Sequence, residues 1–148
     1  MIEIKIDYKG DLHCEAKHGP SGSVIATDAP VDNQGRGEDF SPTDLMATSL
    51  GACMATVMGI AARRKEISLE GLRLKVRKHM SEDQPRRIVK LEVGIYMPIP
   101  EDHPERKLLQ STVHGCPVHH SIHPEIEVPI RWFWPEAPSE STERDLWD

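Results

Sequence analysis

The sequence lacks a surplus of basic residues. Its 148 residues include 18 Lys and Arg against 24 Asp and Glu, so the net charge is −6 and the sequence pI is near 5.7. Binding to nucleic acid is therefore not expected, because phosphate contacts require a basic surface. The sequence also lacks a Gly-rich phosphate loop of Walker or Rossmann type and a Gly-x-Ser-x-Gly elbow, which sets aside the corresponding nucleotide-binding and hydrolase classes.

Cysteine is scarce, with three residues in the whole chain. The first residues alternate apolar and polar types and do not show a basic patch followed by an apolar run, so we expect no signal peptide and a cytoplasmic location. Three cysteines in a cytoplasmic chain do not form a structural disulfide framework. They are more often reduced core residues or redox groups.

Alternating apolar and polar residues mark several strands. Residues 2–8 place Ile2, Ile4, Ile6 and Tyr8 on one face, which predicts a half-buried strand. The same alternation predicts five further strands: 12–18, 23–28, 72–76, 89–97 and 128–134. A polar loop over residues 29–40 and a short helical pattern over residues 104–114 separate some of them.

The chain shows no internal repeat and no linker, and its length suits one domain. We therefore predict a single domain over residues 1–134. Residues 135–148 are acidic and contain Pro and Ser, a composition typical of a flexible tail.

An uncharged run over residues 45–62 is the most distinctive feature. It follows Ser41-Pro42-Thr43-Asp44, a favourable helix start with Ser at the N-cap and Pro at the first helical position. Eighteen uncharged residues reach the threshold for a membrane span. Polar and small residues within the run, and the strands around it, favour instead a core helix buried on nearly all sides. Its small residues would let a sheet or the same helix of a second subunit approach closely.

Two of the cysteines are candidates for chemistry. Cys53 lies in this helix and shares the spacing of Leu50 and Val57, so it could equally be a core residue. Cys116 precedes Pro117, which suits the first position of a helix, and a thiolate at a helix N-terminus is stabilised by backbone N–H groups and the helix dipole.

A histidine cluster surrounds Cys116 and raises the alternative of a metal site. The cluster comprises His114, His119, His120 and His123. Pro117 and Pro124 interrupt the segment, and no second cysteine lies nearby. We therefore expect no metal here, and histidines that are exposed or hydrogen-bonded.

Two segments, SPTDLMATSLGACM (residues 41–54) and CPVHHSI (residues 116–122), resemble the OsmC/Ohr superfamily. The order of elements is similar as well, and the resemblance covers nearly all of residues 1–134. It implies an α+β fold with antiparallel sheets around a long central buried helix, in an intertwined homodimer with active sites at the subunit interface.

The resemblance also implies a thiol-dependent peroxidase without a cofactor. Cys53 would be the peroxidatic cysteine that attacks a hydroperoxide, and Cys116 the resolving cysteine that condenses with the sulfenate to a disulfide. A dithiol such as a lipoyl group would reduce that disulfide. Cys14 matches no cysteine of the family and is expected to be a spectator.

The residues that activate the nucleophile depart from the pattern of the family's hydroperoxidases. Those enzymes use an arginine from the N-terminal hairpin and a glutamate at the start of the helix. The glutamate position falls on Thr43 here, and residues 17–20 of the hairpin contain no arginine. The candidate substitutes are Lys17, His18, Arg36, Glu38 and Asp44.

Two other functions compete with the peroxidase. One is a non-catalytic protein that uses the same fold to bind a small apolar ligand. The other is a metal-binding module at the histidines around Cys116. None of the three hypotheses involves a nucleic acid or a membrane.

Overall fold

The computed structural model describes residues 1–135, so all but the first residue of the expected tail, 135–148, lies outside the described residues. The predicted α+β class is confirmed. The chain forms two compact units, Met1–Met46 and a second that begins at Ala47. In chain order the elements are β1 (Ile4–Gly10), β2 (His13–His18), β3 (Val24–Asp28), α1 (Pro42–Arg64), β4 (Arg73–Met80), β5 (Ile88–Tyr96), α2 (Arg106–Thr112), α3 (Pro117–Ser121) and β6 (Ile130–Phe133).

The first unit contains a three-stranded antiparallel sheet in the order β1-β2-β3. The turn between β1 and β2 follows Gly10, whose φ of 92° favours glycine. Tyr8 pairs with Cys14, and Cys14 pairs with Thr27, so these three side chains lie on the same face. The strands begin and end within two residues of the predicted positions.

The apolar face of this sheet is exposed, which corrects the expectation of a half-buried first strand. Ile4 is 58% exposed, Ile6 67% and Tyr8 66%. Ile25 of β3, on the same face, is 51% exposed. Alternation fixes which face is apolar, but a face is buried only where another element lies on it, and the alternation does not identify that element.

The second unit contains a mixed sheet in the order β4-β5-β6. β4 and β5 are antiparallel as predicted, but β6 runs parallel to β5, with Val93 opposite Ile130 and Ile95 opposite Trp132. The expected antiparallel pairing thus holds for β1 with β2, β2 with β3 and β4 with β5, whereas β5 and β6 pair in parallel. The connection from β5 to β6 contains α2 and α3, and a crossover of that length returns the chain to run in its original direction.

Helix α1 contributes one face to the core of the second unit. Leu50, Met54 and Met58 are completely buried and cluster with the buried side chains of β5. Gly51 allows a close approach, because a Cβ added there would lie 3.0 Å from Val76 Cγ2 of β4. The opposite face is not buried in the single chain, where Ile60 is 49% exposed. In a single chain, α1 is therefore buried on one face and not on nearly all sides as predicted.

By length and apolar composition α1 could also cross a membrane. Its six buried residues share one face, and that face packs in the core beside β5. This one-sided packing is the arrangement of a core helix in a folded domain.

Candidate functional site

The two candidate thiols meet in the second unit. Cys53 lies in the middle of α1, where it is half-buried against the hydrophobic core. Cys116 is the N-cap of α3 and is completely buried. Its extended backbone, with φ −62° and ψ 122°, is the conformation that precedes a helix whose first residue is Pro117. Residues far apart in the sequence thus bring two sulfur atoms together.

The thiols of Cys116 and Cys53 lie close enough to interact, and both are reduced. Burial raises the pKa of Cys116, and the hydrogen bond to Cys53 raises that pKa further. Backbone N–H groups of His119 and Val118 act in the opposite direction but do not outweigh burial. The backbone N–H groups at the start of α3 thus favour the Cys116 thiolate as expected, but burial of this N-cap residue outweighs them and leaves the pKa raised.

The difference in exposure decides what each thiol can do. A half-buried thiol can meet a small molecule from solvent, whereas a completely buried thiol can react only with a group already inside the protein. Because the two thiols interact, an oxidant can convert them into a disulfide.

The rings of the histidines near Cys116 lie close together at steep angles, 61° between His114 and His119 and 60° between His119 and His120. The ring centroids of His114 and His119 are 6.5 Å apart, and those of His119 and His120 are 6.1 Å apart. Burial lowers the pKa of His119, and the neighbouring His114 and His120 lower it further. Within residues 1–135, three side chains of the first unit bring their metal-ligating atoms close together. None of the histidines around Cys116 belongs to that group.

Asp44, one of the candidate substitutes for the family's activating residues, caps α1. Its Oδ2 accepts hydrogen bonds from the backbone N–H of Ser41 at 2.8 Å and from Ser41 Oγ at 2.7 Å. Ser41 Oγ in turn accepts from the Asp44 N–H at 3.1 Å. Thr43, at the glutamate position, places Oγ1 3.1 Å from Ser41 Oγ. These reciprocal bonds form a capping box with Asp in place of the usual Glu.

The remaining candidate substitutes also have defined places in the first unit. Lys17 is exposed. His18 Nδ1 lies 2.6 Å from Ser21 Oγ. Arg36 is exposed and donates to Asp11 Oδ2 at 3.0 Å. Glu38 is exposed in the loop after β3. The structure thus brings Cys53 and Cys116 together, whereas a catalytic role for these other residues stays a prediction.

A hydrogen-bonded pair of His13 and Asp28 in the first unit was not predicted from the sequence. Asp28 is 3% exposed at its side chain, and its Oδ1 lies 2.6 Å from His13 Nδ1. The hydrogen bond to His13 lowers the pKa of Asp28, although burial opposes it, and backbone N–H groups of Glu38 and Asp39 lower it further. The available signal was position, because His13 and Asp28 stand at facing ends of neighbouring strands and pair directly in the sheet.

Comparison with known proteins identifies the family. The sequence profile of the OsmC-like protein family matches residues 35–131. The chain belongs to the OsmC-like family. This confirms the resemblance that the segments around Cys53 and Cys116 indicated.

Solved structures agree with this assignment. The OsmC-like chain is 45% identical to a Psychrobacter arcticus protein assigned to osmotic stress and the detoxification response, with a TM-score of 0.84 over 89% of this chain and 96% of that one. An organic hydroperoxide resistance protein OsmC of Legionella pneumophila shares the fold at 15% identity and a TM-score of 0.72, covering 90% and 96% of the two chains. The organic hydroperoxide resistance protein OhrB of Bacillus subtilis does so at 13% and 0.63, covering 89% and 97%. No curated protein sequence matches the OsmC-like chain.

Proposed function

We propose that this OsmC-like protein is a thiol-dependent redox enzyme that reduces organic hydroperoxides. The observation that carries the proposal is the interacting pair of a half-buried Cys53 and a buried Cys116. Proteins of the same fold from Legionella pneumophila and Bacillus subtilis are organic hydroperoxide resistance proteins, which supports this class of substrate.

The reaction divides into two steps that balance. The Cys53 thiolate attacks the distal oxygen of ROOH, the O–O bond breaks, and the leaving alkoxide takes up a proton to give ROH and the Cys53 sulfenic acid. The Cys116 sulfur then attacks the sulfur of the sulfenic acid, an S–S bond forms, the S–O bond breaks, and the hydroxyl leaves as water with the thiol proton. The peroxide gains two electrons, and the two thiols together lose two.

The burial of Cys116 fits the resolving role. A thiol with a raised pKa remains protonated at neutral pH and is a poor nucleophile toward a peroxide in solution. It already contacts the Cys53 sulfur, so its reaction with a sulfenate needs no diffusion, and this proximity offsets its weak acidity.

A dithiol restores the enzyme. One thiolate of the reductant attacks the Cys53–Cys116 disulfide, and its second thiol releases the mixed disulfide as two protein thiols. A lipoyl group is a dithiol of suitable size. The cycle uses no metal or cofactor and runs in a reducing compartment such as the cytoplasm.

The enzyme works as a homodimer in this proposal. The exposed Ile4, Ile6, Tyr8 and Ile25 form a continuous apolar face on the first sheet, and contiguous apolar surface of this kind marks an interaction site. The exposed face of α1 around Ile60 is a second apolar surface. A second copy of the chain would bury both.

The test is thiol counting with mass analysis. Reduced protein treated with a substoichiometric amount of cumene hydroperoxide is expected to lose the mass of two hydrogen atoms, and non-reducing peptide mapping should recover a Cys53–Cys116 disulfide. Cumyl alcohol is the matched control, because it has the same shape but no O–O bond. Three unchanged thiols after peroxide treatment would contradict the proposal and favour a ligand-binding protein on the same fold.

A further inference from the structure

Three side chains with metal-ligating atoms converge at one end of the first sheet. None of the three takes part in the thiol chemistry proposed above. His13 begins β2, Asp28 ends β3, and Asp39 lies in the loop that follows β3. One donor atom from each of the three lies within 4.8 Å of the other two. His13 and Asp28 face each other in the sheet register, so their side chains emerge on the same face.

The separation of the donor atoms suits a cation. Zn²⁺ bonds histidine nitrogen and carboxylate oxygen at about 2.0–2.2 Å, so two of its ligands lie at most about 4.4 Å apart. The 2.6 Å between His13 Nδ1 and Asp28 Oδ1 has to open slightly, and Asp39 has to turn slightly inward. Asp39 is exposed and can make that change by rotation about its side-chain bonds.

The carboxylate at the centre of the group is held in place. Asp28 is almost completely buried, and its Oδ2 accepts the backbone N–H of Glu38 at 3.1 Å, which leaves Oδ1 directed at His13. The Asp28 N–H donates to the Phe40 carbonyl at 3.2 Å, so the loop returns to the same residue from which it departs. A ligand whose second oxygen is already hydrogen-bonded is pre-oriented for a metal ion.

We propose that His13, Asp28 and Asp39 bind a divalent transition-metal ion of the Mn²⁺ to Zn²⁺ series and thereby fasten the loop of residues 29–41 to the end of the sheet. One imidazole and two carboxylates are a donor set for these ions, whereas Ca²⁺ requires six to eight oxygens. The two carboxylates balance the charge of the ion. His13 binds through Nδ1, so the proton that Nδ1 shares with Asp28 Oδ1 moves to Nε2 or to solvent when the ion takes its place. Solvent beside the exposed Asp39 completes the coordination.

Mn²⁺ is the probe, because it has little affinity for the thiols of the same chain. Purified, metal-free, full-length protein is titrated with Mn²⁺, and free Mn²⁺ is measured by electron paramagnetic resonance. We expect one bound Mn²⁺ per chain. Zn²⁺ should then displace the bound Mn²⁺. Because the measured quantity is released Mn²⁺, zinc that binds to cysteine elsewhere in the chain does not contribute to the signal.

Variants locate the ion. Asp39→Asn and His13→Gln should each weaken Mn²⁺ binding by at least about tenfold, as loss of a ligand or of its support does in other sites. Asp39→Asn is the informative variant for folding, since Asp39 is exposed and keeps its backbone N–H bond to Asp28. His18→Gln, in the same strand, is the matched control and should bind Mn²⁺ as wild type does.

Proteolysis provides a second readout that does not depend on affinity. Arg36 is exposed within the loop, and trypsin can cleave after it. Saturating Mn²⁺ should slow this cleavage in wild type and in His18→Gln but not in Asp39→Asn. The proposal is overturned if wild type binds no Mn²⁺ at millimolar concentration, or if Asp39→Asn and His13→Gln bind it as tightly as wild type.

Discussion

Cys116 is completely buried, yet its thiol interacts with that of Cys53, which is only half-buried. The pair therefore has an outer member that small molecules can reach and an inner member that only the outer one can reach. A division of labour between an attacking and a resolving thiol follows from this geometry.

Serine substitutions should separate these two roles. Cys53→Ser is expected to abolish consumption of tert-butyl hydroperoxide, because the attacking sulfur is gone. Cys116→Ser should consume one equivalent and then stop, leaving a sulfenic acid that dimedone traps or excess peroxide oxidises to sulfinic acid. Stopped-flow assays of the reduced proteins provide the measurement.

The control for this series is Cys14→Ser, which keeps both thiols of the pair and should match wild type in rate and stoichiometry. Consumption of peroxide by Cys53→Ser at the rate of wild type would show that Cys53 is a core residue without a catalytic role.

The raised pKa of Cys116 predicts a dependence of stability on pH. In the folded protein Cys116 holds its proton to a higher pH than in the unfolded chain, where a thiol titrates near about 8.5. Its contribution to stability is complete below that pH and is lost as the pH rises through the folded-state pKa. Between about pH 7.5 and about pH 10, the free energy of unfolding of wild type should therefore fall more than that of Cys116→Ala.

Urea denaturation at several pH values measures this difference. Parallel curves for wild type and Cys116→Ala would mean that Cys116 titrates alike in the folded and unfolded states.

Gly51 predicts a packing effect within α1. A methyl group at this position would lie 3.0 Å from Val76 Cγ2, so in Gly51→Ala overpacking opposes the gain in helix stability that alanine brings. Gly51→Ala should therefore be less stable than Gly59→Ala by about 1–3 kcal/mol. Gly59→Ala is the matched control in the same helix, because a Cβ there meets nothing within 4 Å. It should stabilise the helix by roughly 0.5–1 kcal/mol. Urea unfolding compares the two, and equal effects would contradict the close approach of α1 to β4.

The homodimer predicts opposite consequences for neighbouring residues of β1. Ile6→Asp places a charge on the apolar face and should convert the dimer to a monomer or prevent folding, since a buried unpaired charge is costly. Asp7→Lys, on the other face of the same strand, should leave the protein a dimer, with the molecular mass of the wild-type assembly. Light scattering at micromolar concentration measures the mass, and a folded wild-type monomer would contradict the assembly.

The sequence predicted local structure well and long-range relationships poorly. Alternation located the strands, and Ser41 with Pro42 located the start of α1, because these signals depend on neighbouring residues. The parallel pairing of β6 depends on the path of a long crossover, and the burial of Cys116 depends on what folds over it. The contact of Cys116 with Cys53 was expected through the family resemblance, whereas the pair of His13 and Asp28 depends on strand register.

The location of Cys14 makes its thiol a natural probe of subunit dissociation. Its thiol lies on the apolar face of the first sheet, opposite Tyr8 and Thr27. If a second subunit covers that face, a reagent can alkylate Cys14 only after the two subunits separate. The rate of its alkylation by excess reagent would then follow the lifetime of the assembly, and no added label would be needed to time subunit exchange.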